Sequence, residues 1–587
     1  MTNPEVLLEQ ARAWLADDPE PSTQAELSHL IDRVAAGDAD AQADLADRFS
    51  GTLQFGTAGL RGALGAGPNR MNRSVVIRAA AGLSAYLNSV LPALAHSDQA
   101  PHIVVGYDAR HFSEAFAYDS AAVWVAAGCR VSILNRALPT PVLAYTMRRL
   151  GADAGVVVTA SHNPPADNGY KVYLGGRVVL DEGKDAQIVP PFDQAIADQI
   201  AAVPSVAPTP RAEAGWTVLG EEAVTSYIDA VHTLIDDAPR DLNIVLTPLH
   251  GVGGQVVEDM FEGAGFTNFS SVPEQVKPDP DFPTVSFPNP EEPGAIDLAL
   301  AHALKRDADI VIANDPDTDR CAVAIKDPRV TGTPGTPQAA GWRMLHGDEV
   351  GAILGDHLAR THLHSDPDSE EPATLANSIV SSRLLGEIAQ HYGLNYRATL
   401  TGFKWISRAP HLLFGYEEAL GYCVAPDLVR DKDGISAALI VAQLAARLKA
   451  QGSTSGEYLD SLAKRHGLYQ TDQLSARFTD LSQIPATMAR LRATPPATLA
   501  GSPVTEVVDL SAGSASLPPT DGIVLLAEDG TRVIVRPSGT EPKVKCYLEV
   551  IAEVHPGATF DKLTSVREQA RAALDQVRVD VGAALGI

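Results

Sequence analysis

VVVTASHNPPADNGYKVY, residues 156–173, joins an apolar, β-branched run to a loop that regular structure cannot continue. Val156–Val158 has the composition of a strand buried on both faces. Thr159, Ala160, Ser161, His162 and Asn163 follow, then Pro164 and Pro165. The prolines lack a backbone donor and restrict the residue before them, so neither a ladder nor a helix runs on through Asn163. In open α/β sheets, ligands bind beyond the carboxyl ends of strands, where Ser161 stands. A plain polar cap would also put a serine there. A Ser-His hydrolase pair is disfavoured. The chain has no GxSxG elbow, and neighbours in extended backbone point apart.

Outward from this stretch the chain keeps one grammar. HIVVGYDAR (102–110), RVSIL (130–134) and AGVVVTA (154–160) read as strands. SEAFAYDSAAVWVAAGC (113–129) and TPVLAYTMRRLG (140–151) have helical apolar spacing. Such alternation implies βαβ units with helices on both sheet faces. It recurs at 241–266, at 299–317 and through 345–452. Beyond about residue 465, hairpin-like runs at 521–539 and 543–553 and a helix at 559–578 predict a smaller α+β domain. Residues 1–50 read as two or three short helices. Pro-rich or polar punctuation near 202–214, 331–340 and 467–475 marks the joints. The expected division is a helical extension at 1–50, α/β domains at 51–210, 211–330 and 331–465, and an α+β domain at 466–587.

The 587 residues carry a net charge of −27, which disfavours nucleic acid as a bulk partner. A small anion would need a local cationic pocket. The four cysteines form no CxxC pair and read as buried thiols of a reducing compartment. The N-terminus lacks signal-peptide character, and no apolar run reaches the roughly 18 residues of a membrane span. A cytoplasmic protein with no membrane partner is expected.

Three further loops could carry chemistry. ADIVIANDPDTDRCAVAI (308–325) ends a strand in Asp315, Asp317 and Asp319, with Arg320 next. If that backbone is extended, the three carboxylates share a face. Such a cluster is costly without a cation, and hard oxygen ligands suit Mg²⁺. A solvated acidic turn is the plainer alternative. FGYEEALGY (414–422) offers Glu417 and Glu418 for sugar hydroxyls, or simply as surface glutamates. VIVRPSGTEPKVK (533–545) sets Arg536, Ser538, Gly539, Thr540 and Lys543 about a Pro/Gly turn. The turn is either a phosphate-binding nest or an ordinary hairpin. HGVGGQVV (250–257) lacks the third glycine of a dinucleotide loop, and DPDT (315–318) misses the DxDxT spacing of aspartyl-phosphate phosphatases.

Together TASHNP with downstream NGYK, DPDTDR, the Glu-Glu loop and RPSGTEP resemble the α-D-phosphohexomutases, in the same order. FGTAGLRG (55–62) matches that family's N-terminal phosphate-contacting segment. The resemblance runs from about residue 50 to 580. It implies three α/β domains and a TATA-box-binding-protein-like α+β domain around a central cleft. It implies that Ser161 carries a phosphoryl group and joins Asp315, Asp317 and Asp319 in holding Mg²⁺. Arg61 and Arg320 would face the transferring phosphate. Lys171 would be the general base, with His162 beside it. Glu417, Glu418 and Lys404 would meet the sugar, and Arg536, Ser538, Gly539, Thr540 and Lys543 the phosphate that is not being transferred. A bisphosphate such as glucose 1,6-bisphosphate would serve as activator, and the protein would be a monomer or homodimer.

The expected reaction interconverts hexose 1- and 6-phosphates, with glucose first, and mannose or pentose phosphates as alternatives. Ala419 departs from the serine of many members. Together with the N-terminal extension, it resembles the branch holding phosphopentomutases and glucose-1,6-bisphosphate synthases. Rival readings are a phosphatase with Asp315 as nucleophile and a non-catalytic sugar-phosphate-binding protein.

Overall fold

The apolar run that ends at Ser161 becomes strand Ala154–Val158, with every residue buried. In this computed structural model the described residues are 4–56, 59–95, 99–365, 371–478, 482–514, 517–537 and 543–586. Strand 154–158 lies inside a seven-stranded sheet. Strand His102–Tyr107 runs parallel to it and to Arg130–Leu134, which in turn pairs in parallel with Thr217–Leu219. On the other side, strand Asp167–Leu174 returns antiparallel and pairs with Leu60–Ala63. Helices Arg73–Ala95, Ser113–Ala126, Thr140–Arg149 and Phe192–Ala201 accompany the sheet. Apolar residues of the helices at 73–95, 113–126 and 192–201 and of the strands form one core, as the near-continuous hydrophobicity of these strands requires. Helix 73–95 is apolar and long enough to cross a membrane on composition alone. However, 61% of its most apolar window is buried in this domain.

The chain resolves into two compact units, Met1–Val323 with Ala425–Gln443, and Ala324–Val424 with Leu444–Ile587. The first unit also holds the three N-terminal helices, Pro4–Asp17, Pro21–Ala35 and Ala39–Arg48. It contains a second parallel set, with strand Ile244–Thr247 between Ile310–Ala313 and Phe269–Ser271.

The second unit contains a four-stranded sheet in the order Asn395–Thr399, Thr374–Ser378, Leu412–Glu417, Gly421–Cys423, parallel except for the last hairpin. It also contains a six-stranded antiparallel sheet. The order there is Leu468–Arg477, Lys543–Ala552, Arg532–Pro537, Ile523–Ala527, Ser502–Asp509, Thr498–Leu499. Helix Phe560–Leu585 lays Leu563, Ala570, Leu574, Val577 and Val581 into the core under that sheet. The change from parallel to antiparallel pairing is the one the sequence implied near residue 465.

Candidate active site

In the first unit, Ser161 leaves the sheet in a left-handed backbone conformation, φ 51°, uncommon for a residue with a side chain. Its N–H donates to Thr159 Oγ1 at 2.8 Å. The loop beyond cannot make ladder bonds, and a guanidinium takes their place. Arg110 donates to the carbonyls of Ser161 and Asn163 at 2.6 Å each, Pro164 at 2.8 Å and Asp167 at 3.1 Å. Arg110 is itself buried, 3.3 Å from Asp108 and 5.0 Å over the Phe282 ring. Ser161 is 3% exposed, and its Oγ donates to Asp315 Oδ2 at 2.8 Å.

Asp315, Asp317 and Asp319 converge, with one ligand atom from each lying within 4.8 Å of the others. They do so by a different route from the one expected. The segment is a turn, closed by Thr318 N–H to Asp315 O at 2.9 Å with Thr318 at φ 63°. The turn curls the carboxylates inward, where an extended strand would only have aligned them. The glycines of HGVGG explain its tightness. A Cβ on Gly251 would come within 2.4 Å of Pro316 Cα, and one on Gly253 within 2.3 Å of Thr318 Oγ1. The segment that looked like a failed dinucleotide loop is thus the floor on which the acidic turn rests.

All three aspartates are fully buried. Lys171 Nζ lies 2.6 Å from Asp317 Oδ2 and 2.7 Å from Asp319 Oδ2. Lys432 Nζ is 3.3 Å from Asp319 Oδ2, and Thr140 Oγ1 donates to Asp317 Oδ2 at 2.7 Å. Arg320 donates its backbone N–H to Asp315 Oδ1 at 3.0 Å and brings its Nε to 3.6 Å from Oδ2. Burial, then the charges of Asp319 and Asp317, push the Asp315 carboxyl well up. Burial also acts against Asp319, but Lys171, Lys432 and Arg320 outweigh it and hold that carboxyl down. Burial opposes the Lys171 charge as well. The Asp317 and Asp319 carboxylates overcome it and push the ammonium up. In this arrangement the Lys171 ammonium donates to both carboxylates.

The donor set fits a hard divalent cation. Asp317 Oδ1 and Asp319 Oδ1 are buried and find no hydrogen-bond partner among the described residues, and three carboxylates from one turn match Mg²⁺ ligand chemistry. Arg61 sits on strand 60–63 opposite Gly169 and donates to Asn163 Oδ1 at 3.3 Å. His162 is half-buried beside Ser161.

The second unit holds the other expected residues. Glu417 ends strand 412–417 half-buried. Glu418 turns inward and accepts from Ser378 Oγ and Ser381 Oγ at 3.0 Å each. Burial, then the charges of Glu417 and Asp348, push its carboxyl up to about 7. Arg536, on strand 532–537 opposite Lys545, is within hydrogen-bonding reach of the Tyr547 hydroxyl, and that hydroxyl feels the Glu418 and Glu417 charges. The hairpin and the glutamate loop are therefore neighbours. Lys543 begins strand 543–552, and Lys404 sits on the short helix Phe403–Ile406. Ser538, Gly539 and Thr540 lie outside the described residues.

Sequence reasoning missed Arg110, Thr140, Lys432, Ser378 and Ser381. The one available signal was an arginine closing HIVVGYDAR at a strand's carboxyl end.

Four family descriptions match the chain in order. They are phosphoglucomutase/phosphomannomutase alpha/beta/alpha domain I at residues 52–203, domain II at 225–331, domain III at 346–466 and the C-terminal domain at 476–554. A protein named "Probable phosphomannomutase" from Haemophilus influenzae is 45% identical, covering 82% of this chain and 93% of its own. The phosphoribomutase of Saccharomyces cerevisiae is 32% identical over 95% of each chain. A phosphoglucomutase of Staphylococcus haemolyticus is 34% identical over 86% of this chain and 91% of its own. Among solved structures, the Paramecium phosphoglucomutase parafusin superposes with a TM-score of 0.64 at 16% identity, covering 92% of this chain and 96% of that one. Motif order, sheet architecture and these likenesses agree: the chain belongs to the phosphoglucomutase/phosphomannomutase family and is an isomerase of the phosphosugar-mutase type.

Proposed function

We propose that Ser161 is the phosphoryl carrier and that the enzyme moves a phosphoryl group between the anomeric and terminal hydroxyls of a sugar phosphate, with glucose 1-phosphate and glucose 6-phosphate as the first pair. The observation that carries this reading is the Ser161 Oγ–Asp315 contact of 2.8 Å beside the acidic turn. The bond from phosphorus to Ser161 Oγ breaks as the bond to the sugar hydroxyl oxygen forms. The hydroxyl proton leaves, and the product is a sugar bisphosphate. Turned end for end, that bisphosphate returns its other phosphoryl group to Ser161. A serine 3% exposed is kept from water, which disfavours hydrolysis of the phosphoserine.

Asp315, Asp317 and Asp319 would hold Mg²⁺, which when bound neutralises charge on the phosphoryl oxygens. Arg320 and Arg61 supply fixed positive charge to the same group, and Arg110 keeps the serine loop in place. Lys171 and His162 are proposed to exchange the hydroxyl proton, Lys171 starting from its ammonium form. Glu417 and Lys404 are assigned to sugar hydroxyls. Arg536 and Lys543, with Ser538, Gly539 and Thr540, are assigned to the second phosphate, and a sugar bisphosphate is the activator. The cytoplasm is the proposed compartment, supported by four buried cysteines that form no disulfide among the described residues.

A second reading, a phosphopentose substrate, is favoured by the likeness to a phosphoribomutase over 95% of both chains. A mannose phosphate is favoured by the 45% identical relative. Coupled assays of the purified enzyme on glucose, mannose, ribose and glucosamine 1-phosphates test the choice. Turnover of ribose 1-phosphate well above the hexoses would replace the glucose reading, and inactivity on all four would remove the mutase reading.

A further inference from the structure

The N-terminal helices lie outside every matched family domain, the first of which begins at residue 52. They carry their own core, built on Leu7, Leu27, Leu30, Ile31 and Leu45. One member of that core comes from elsewhere. Ala66, fully buried, is inserted from the turn that follows strand 60–63. Both of its peptide groups are held by the helices. Its N–H donates to Glu26 Oε2 at 2.9 Å, and its carbonyl accepts from Arg48 Nη1 at 3.3 Å. Glu26 and Arg48 are themselves paired at 2.6 Å. The contact is close. Gly67, at φ 111°, would bring a Cβ within 3.1 Å of Arg48 Cβ and carbonyl oxygen. From the other side Asn72 Nδ2 donates to the carbonyls of Gly65 at 2.9 Å and Gly67 at 2.8 Å.

This turn continues directly from the strand bearing Arg61. The strand has four residues, lies at the end of its sheet and pairs with one strand among the described residues, with one further bond from Met71 N–H to the Ala63 carbonyl at 2.8 Å. A short edge strand is weakly fixed along its own axis by so few ladder bonds. What it runs into therefore helps to set where Arg61 stands, and Arg61 reaches Asn163 on the serine loop.

We propose that the N-terminal helices are a positioning element for phosphoryl transfer. Glu26 and Arg48 pin the Ala66 turn and so hold Arg61 against the Ser161 loop. This rests on the reading of Arg61 as a contact to the transferring phosphoryl group. Glu26 and Arg48 touch no reacting atom and act only through the strand.

The test is a double-mutant cycle on the full-length enzyme, measuring kcat and KM for glucose 1-phosphate, or for whichever sugar 1-phosphate is turned over best. Melting temperature serves as a check on folding. Glu26→Ala is expected to lower kcat roughly 5- to 50-fold, as small misplacements of a charge-bearing group do, with a smaller change in KM. In an Arg61→Ala background the same substitution should cost nothing more. Glu26→Gln, which keeps an acceptor for the Ala66 N–H, should restore most of the rate. A purely structural role would cost the same in both backgrounds. Equal losses in the two backgrounds, or an undiminished kcat for Glu26→Ala, overturn the proposal while leaving the mutase reading intact. Full activity of Arg61→Ala overturns the role of Arg61 and this proposal with it. If Glu26→Ala does not fold, Arg48→Lys goes through the same cycle, and absence of coupling to Arg61 again overturns it.

Discussion

Ser161 Oγ and Asp315 Oδ2 stand 2.8 Å apart across a separation of 154 residues in sequence. A hydroxyl pointed at a carboxylate that burial keeps protonated more readily than usual is already seated at the edge of the acidic turn. Replacing Ser161 by Ala should abolish an acid-stable phosphate detectable by peptide mass mapping and cut turnover by about 10³-fold or more. A hydroxylamine-labile phosphate on Asp315 would instead support the phosphatase rival.

Lys171 between Asp317 and Asp319 gives a prediction about metal removal. EDTA should inactivate the enzyme, Mg²⁺ should restore it, and Asp317→Asn should respond to neither. Lys171→Met leaves the aspartates without their nearest positive partner, which should destabilise the metal-free protein by about 3–5 kcal/mol. Thermal melts with and without Mg²⁺ check this, and the added ion should stabilise the variant more than the wild type.

Arg110 holds four carbonyls of the serine loop. Arg110→Met removes the donors and leaves those acceptors unpaired. Such losses cost roughly 1–3 kcal/mol each when burial is complete, less where solvent can enter. The expected result is a lower melting temperature and faster proteolysis near residues 161–167. Unchanged cleavage there would show that the prolines alone hold the loop.

Arg536→Ala should raise KM in both reaction directions while kcat falls less, because the contact to a non-reacting phosphate exists in ground and transition states alike. Loss of one charge-assisted contact corresponds to roughly 1.5–3 kcal/mol, about 10- to 150-fold. Steady-state kinetics from each sugar phosphate measure it, and an unchanged KM in either direction removes Arg536 from the site.

Glu418 links folding to pH. Its carboxyl is up at about 7 in the folded protein, against the ordinary 4.5. Between those values the native state keeps a proton that the unfolded state releases, so stability falls as pH rises through this window. The contribution is complete below about 4.5 and lost above about 7. Glu418→Gln should flatten the dependence between pH 5 and 8 in urea titrations. An unaltered slope would mean that Ser378 and Ser381 already satisfy an ionised carboxylate.

How much of this was legible in the sequence depended on where each residue got its meaning. Ser161 and the aspartate triad could be read because a buried strand, then a loop closed to regular structure, is a local pattern. The shape of the triad could not. Extended backbone and a tight turn both bring carboxylates together, and the glycines deciding between them, Gly251 and Gly253, lie more than 60 residues upstream. Arg110 was hidden for the same reason, since its partners are carbonyls some 50 to 57 positions away. Glu417 and Glu418 looked equivalent, and only the serines of another strand end distinguish the inward one. The change to antiparallel pairing near residue 465 was visible because apolar spacing itself shifts there.

The placement of residues 425–443 in the first unit, although a domain description spans 346–466, has a consequence for recombining this enzyme with its relatives. Exchanging the whole of 346–466 to alter sugar preference would import a foreign Lys432, Asp431 and Asp433. In this chain those residues meet Asp319, Tyr173 and Tyr227. Such a chimera would alter the surroundings of the acidic turn together with the Glu417–Glu418 hairpin, so a loss of rate could not be assigned to the hairpin alone. Crossovers at 324 and 425 avoid this. They carry the Glu417–Glu418 hairpin with its Ser378 and Ser381 partners as one cassette, and they leave Lys432 among the neighbours it evolved with.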